Sequence, residues 1–242
     1  MKIGIISYIN SIPFGYGMEQ YGEVVKDTPR NLATRFFAGE LDFSFIPAIE
    51  YIRMKDRCYL VDGVTISSFG PTNSVYLYFN GPVRNIVTVK LSRESRSSNF
   101  LVREILEGRY GIYADYVESG SCDAEVIIGD TALEYAEGIH RERIDLGWEW
   151  MRMTGLPVVY AVCVADKRHN PAAFSAIVKQ LTDFNLKNLP AILNKLGAEQ
   201  YYDYITNLDY NLHQPHHTAL EYMSSLYHCR LDSERRPQLV SA

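Results

Sequence analysis

Gly81-Pro82-Val83-Arg84-Asn85-Ile86-Val87-Thr88-Val89-Lys90-Leu91 holds a break and a restart in a single run of chain. The Gly-Pro pair ends regular structure and the β-branched residues from Ile86 open a new strand, so an α/β pattern that has run once begins again here. Toward the N-terminus, residues 2–7 read as a strand passing into the polar loop Ser7-Tyr8-Ile9-Asn10-Ser11-Ile12-Pro13. Residues 29–38 read as a short helix with Leu32, Phe36 and Phe37 apolar and Gly39 as its stop, followed by a strand over 41–46. Strands at 59–61 and 74–79 flank a polar turn at 66–71. Toward the C-terminus come a loop at 92–98, a helix to about Glu107, strands at 114–117 and 124–128, and a long apolar strand at 156–164. From Asn170 onward the pattern is helical, with Phe174, Ile177, Val178 and Leu181 on one face. The charged residues from Arg230 to Ala242 have no period and are expected to fray. These elements predict an α/β protein of two lobes, 1–82 with 166–242 forming one and 83–165 the other. Such a hinged clam takes its ligand in the cleft outside the strand ends.

Composition narrows the function. At 242 residues and 47% hydrophobic content the chain can bury a full core. Its 24 Lys plus Arg against 29 Asp plus Glu give a net charge of -5 with no basic run to track a phosphate backbone, which argues against a nucleic-acid partner. No apolar stretch approaches the length of a membrane span, and residues 1–7 are too short for a signal h-region, so a cytoplasmic protein without a membrane partner is expected. Cys58, Cys122, Cys163 and Cys229 are scattered, as reduced thiols would be. The cluster His213-Gln214-Pro215-His216-His217 lacks metal-ligand spacing and reads as a surface loop, so no metal is expected. Glycine-rich phosphate loops and a Gly-x-Ser-x-Gly elbow are both missing, and no cofactor is expected.

Three polar loops precede predicted helices, where free backbone N–H groups and the helix dipole favour an anion. They hold Ser7, Asn10 and Ser11; Ser95, Arg96, Ser97 and Ser98; and Gly129, Asp130 and Thr131. Each also has a plain reading as a helix cap or Asx-turn, and the residues alone leave both open.

The string Ser7-Tyr8-Ile9-Asn10-Ser11-Ile12-Pro13 resembles the opening signature of the menaquinone-biosynthesis family that contains chorismate dehydratase. Similar blocks follow in the same order: Gly39 to Asp42, Ile49-Glu50-Tyr51, Ile66 to Pro71 with Ser74-Val75, Ser95 to Ser98, Ile128-Gly129-Asp130, and Asp145 to Pro157. The Ser-Pro-Cys-Pro-Asn-Asp opening of the related dihydroxynaphthoate synthase is not present. The resemblance implies a type II periplasmic-binding-protein-like fold and a cofactor-free loss of water from chorismate, giving 3-[(1-carboxyvinyl)oxy]benzoate. On that reading the serines at Ser67-Ser68 and Ser95 to Ser98 hold the substrate carboxylates and Asn10 bonds near the departing hydroxyl. The base is then a carboxylate of the substrate itself or, on the protein side, Asp130. Pro47-Ala48 departs from the family, in which many members carry a serine ahead of the Ile-Glu-Tyr block. Rival readings are a non-catalytic binding or sensor protein for a small cyclic carboxylate, a different lyase or transferase of the same fold, and a secreted transport receptor.

Overall fold

A strand buried along its whole length needs cover on both faces of its sheet, and two such strands anchor the first of the molecule's two sheets. The computed structural model describes residues 1–135 and 141–235. Its strands are β1 (Lys2–Ile6), β2 (Glu23–Asp27), β3 (Phe43–Pro47), β4 (Cys58–Ser68), β5 (Val75–Phe79), β6 (Thr88–Lys90), β7 (Asp115–Val117), β8 (Ala124–Ile128), β9 (Glu142–Asp145) and β10 (Val158–Asp166). The fully buried pair is β3 and, as far as Ala165, β10. One sheet runs β2-β1-β3-β10-β4, the other β7-β6-β8-β5-β9. In the first, β1 is parallel to both neighbours while β10 is antiparallel to β3 and β4.

The helices are α1 (Ile12–Gly15), α2 (Pro29–Phe37), α3 (Ala48–Met54), α4 (Arg96–Tyr110), α5 (Gly129–Tyr135), α6 (Leu146–Thr154), α7 (Pro171–Lys187), α8 (Leu189–Leu196), α9 (Tyr202–Asn207) and α10 (Gln214–Arg235). Thr28, Ser95, Asp145 and Asn170 cap α2, α4, α6 and α7 through side-chain oxygens that accept first-turn N–H groups. Phe14 stacks on Phe45 at 3.8 Å and Phe43 on Phe174 at 4.0 Å, tying α1 and α7 to the first sheet. Trp150 of α6 is fully buried against the second sheet's layer of helices.

The α/β reading and the two-lobed arrangement hold, and the boundaries move by one strand each. Although Gly81-Pro82 breaks a strand, the chain on either side of it stays in one sheet, because β5 pairs with β8 and β9. The chain changes sheets earlier, between Ser68 and Val75, and returns between Thr154 and Val158, since β10 belongs to the first sheet. The expected turn at 66–71 is therefore the end of β4 and the start of this crossing. Residues 230–235, expected to fray, continue α10, where Arg230 is held by Glu104 and Glu107; residues 236–242 lie outside the described part. His216 is not in a surface loop but buried in the first turn of α10, donating to Asp209 and accepting the His213 N–H at Nδ1. Among the described residues no helix is long and apolar enough to cross a membrane.

Candidate active site

The first crossing, the loop after β1 and the starts of α4 and α5 converge on one cavity between the sheets. Its wall includes Tyr8 and Asn10 from that loop, Thr72 and Ser74 from the first crossing, Ser95 and Ser98 from the start of α4, Gly129 from α5 and Tyr160 from β10. The cavity is small, about 40 Å3. Its polar lining is hydroxyl and amide, and among the described residues no lining residue carries a formal charge.

Asn10 is the best defined of these groups. Its Nδ2 donates to the Tyr204 hydroxyl at 3.2 Å, and Tyr204 donates in turn to Ser74 Oγ at 2.8 Å. In this arrangement Asn10 Oδ1 is a buried acceptor without a partner among the described residues. Such a group costs about 1–3 kcal/mol when left unsatisfied, so it marks a place kept for a ligand donor. Ser74 accepts from Tyr204 and keeps its own hydrogen to give. Ser95 Oγ likewise accepts from Ser98 N and Ser98 Oγ, leaving its hydrogen directed elsewhere. Opposite them, Tyr160 is bonded to Thr72, Thr72 to Ser68 at 3.1 Å, and Ser68 donates to the Gly70 carbonyl at 3.3 Å. Burial pushes the Tyr204 phenol up to about 12, so it stays a neutral donor at physiological pH.

The sequence-derived candidates divide. Asn10, Ser95, Ser98 and Gly129 line the cavity together. Ser97 is buried just behind, donating to the Tyr160 carbonyl at 2.9 Å and accepting from Ile49 N, so it braces β10 against α3. Ser67 donates to the Asp209 carbonyl at 3.0 Å and is occupied by that bridge, while Ser68 ends the hydroxyl chain. Ser7 and Ser11 face a different pocket beside Tyr16 and Lys26, and Thr131 is exposed on the outer side of α5. Arg96 turns away from the cavity to Glu50 at 2.5 Å. Asp130 does not line the cavity either: its carboxylate accepts the Ile9 N–H at 3.0 and 3.3 Å and so holds the loop that carries Asn10. Burial raises its affinity for a proton, against the pull of the Ile9 N–H and helped by Glu134 and Glu94. Pro47 pairs with Ala161 and Ala48 is fully buried, so neither offers a group to the cavity.

Thr72, Ser74, Tyr160 and Tyr204 were missed. Ser74 stood in a recognised block, but nothing local distinguishes Tyr204 from the chain's other tyrosines, because its role arises from α9 folding back 130 residues onto Ser74. Gly129 is a visible signal after the fact: at φ +63° it packs so close to Tyr8 that an added Cβ would lie 3.0 Å from the ring.

Two sheets, two short crossings and a cavity between them define the class of periplasmic-binding-protein-like folds. A protein of Archaeoglobus fulgidus matches it with a TM-score of 0.70 at 14% identity, covering 95% of this chain and 97% of its own. A Candida albicans gene product, described as having the generic periplasmic binding protein fold, matches with a TM-score of 0.67 at 10% identity over 95% and 90% of the two chains. Within that class the chain belongs to the menaquinone biosynthesis family, whose pattern matches residues 1–228. A chorismate dehydratase of Thermus thermophilus is 26% identical, over 90% of this chain and 92% of its own.

Proposed function

We propose that the protein is a chorismate dehydratase, a cytoplasmic hydro-lyase that closes two lobes on chorismate and releases 3-[(1-carboxyvinyl)oxy]benzoate and water. The observation that carries the reading is the uncharged cavity with a buried amide acceptor, Asn10 Oδ1, beside hydroxyl donors, in a chain of this family with a dehydratase relative. The reaction makes a benzene ring, so its products are intrinsically favoured and the protein need only orient the departing groups. A ring proton passes to a base, its C–H pair becomes a ring double bond, and the hydroxyl leaves with its C–O pair and gains a proton as water. Asn10 Oδ1 accepts from the substrate hydroxyl and Ser74 Oγ donates to it as charge develops on that oxygen. Ser95, with the N-terminus of α4 behind it, supplies donors to a carboxylate. The base is a carboxylate of the substrate, because Asp130 spends its oxygens on Ile9 N–H.

The test is to incubate the purified protein with chorismate, without added metal or nucleotide, and follow product mass and aromatic absorbance. Formation of a product lighter by one water, sharply slowed in Asn10→Ala, establishes the reading. Chorismate left intact while it still protects the protein against heat overturns the dehydratase in favour of a binding protein.

A further inference from the structure

Residues of α2, α3, α4 and α10 enclose a second groove. Among the described residues five arginines line it, Arg30, Arg53, Arg96, Arg103 and Arg230, with Glu118 as the one carboxylate in its wall. In a chain of net charge -5 this is a local reversal of sign.

The supporting acids lie underneath. Glu50, 3% exposed, takes Arg53 Nε and Nη2 at 3.1 and 2.8 Å and Arg96 Nε at 2.5 Å, so a single buried carboxylate pins two guanidinium forks that remain more than two-fifths exposed. Glu104 and Glu107 hold Arg230 in the same way. Arg103 lies over the Tyr116 ring at 4.2 Å. Neither Arg30 nor Arg103 has a carboxylate at ion-pair distance among the described residues, although both are half-buried. Arg53, Arg96 and Arg230 are thus held by protein carboxylates, while Arg30 and Arg103 bring to the groove positive charge that no described carboxylate pairs with. Rigid, pre-oriented forks are what recognises a tetrahedral or bridged oxyanion bidentately.

We propose that this groove is a second binding site, for an oxyanion bearing two or more charges of the phosphate or diphosphate class. Arg30 and Arg53 come from helices of the first lobe, Arg96 and Arg103 from α4 of the second, so the anion ties the lobes together beside the helix starts whose Pro29, Ser95 and Ser98 line the reacting cavity. The proposal stands apart from the dehydratase reading, and its test contains no chorismate.

Sodium diphosphate is titrated into the whole protein at constant ionic strength and followed by calorimetry and by thermal unfolding. One saturable site per chain is expected, with chloride at the same ionic strength giving none. The R30Q R103Q double variant, its fold checked by its melting temperature without ligand, loses about tenfold or more in affinity, whereas R35Q, on α2 but outside the groove, does not. Should the glutamine pair fail to fold, R30K R103K keeps the charge, loses the forks and still binds more weakly. ADP binding as tightly as diphosphate assigns the site to a nucleotide's phosphates, and exclusion of ADP assigns it to the free anion. Absence of saturable binding, or equal affinity in the folded double variants, overturns the site.

Discussion

Asn10 takes its chemical direction from Tyr204, a residue behind the cavity wall. With Tyr204 accepting from Nδ2, the amide oxygen is the atom offered to the ligand. Asn10→Ala removes that acceptor and leaves the loop otherwise intact, so kcat falls by about a hundredfold, measured as product formed from chorismate under saturation. Tyr204→Phe is more informative. It leaves Asn10 and Ser74 in place but frees both, and kcat falls about tenfold with a smaller change in KM. A loss confined to thermal stability, with unchanged kcat in the folded variant, would reduce Tyr204 to a packing residue.

At the scale of elements the crossings govern. Asp145, the cap of α6, accepts the N–H groups of Thr72 at 3.0 Å and Asn73 at 2.8 Å, and so ties the first crossing to the second sheet. Gly147 lies against it: an added Cβ would fall 2.7 Å from the Gly70 carbonyl oxygen and 2.7 Å from the Tyr160 hydroxyl. Gly147→Ala therefore destabilises the protein by about 2 kcal/mol, read from chemical denaturation, and also disturbs the Tyr160–Thr72 bond in the cavity. A second tie is the bridge between β4 and the segment before α10, where Asp209 pairs by backbone with Ser67. Burial alone would raise the Asp209 carboxyl, but the His216 and Asn211 donors outweigh it and lower it. A lowered carboxyl contributes stability above its unfolded value of about 3.9 and loses it as pH falls through the folded value. The stability gap between wild type and Asp209→Asn is thus full at pH 7 and closes below about pH 4, followed by urea unfolding at each pH.

These elements also mark what a sequence displays. Hydrophobic alternation and capping residues are local, so β1, α2, β3, α4, β8, β10 and α7 were legible, as were Asn10, Ser95 and Ser98 at loop ends. Sheet membership is not local. Ser74 to Phe79 reads the same whether it pairs with β4 or with β8, and only long-range pairing places it in the second sheet. Two elements with weak patterns, β2 at an edge with a polar face and β9 with charged residues outward, gave no alternation to read.

At the scale of the whole molecule, contacts join the two lobes across the cleft. Tyr8 of the first lobe donates to Glu94 of the second, Ile9 N–H to Asp130, and Arg96 reaches Glu50. At about 40 Å3 the cavity is small for a ten-carbon dicarboxylate, so entry is expected to need the lobes to part. Binding therefore includes an opening step, and each contact across the cleft biases the equilibrium toward closure. Tyr8 is the place to shift it, because its ring seals against Gly129 while its hydroxyl alone makes the bond to Glu94. Tyr8→Phe keeps the seal and removes the latch. Small-angle scattering without ligand should then give a larger radius of gyration than wild type, and saturating chorismate should bring the two together. If closure is what assembles Asn10 and Ser74 around the substrate, KM rises in this variant more than kcat falls; equal radii and an unchanged KM would mean that Tyr8 and Glu94 do not hold the lobes shut.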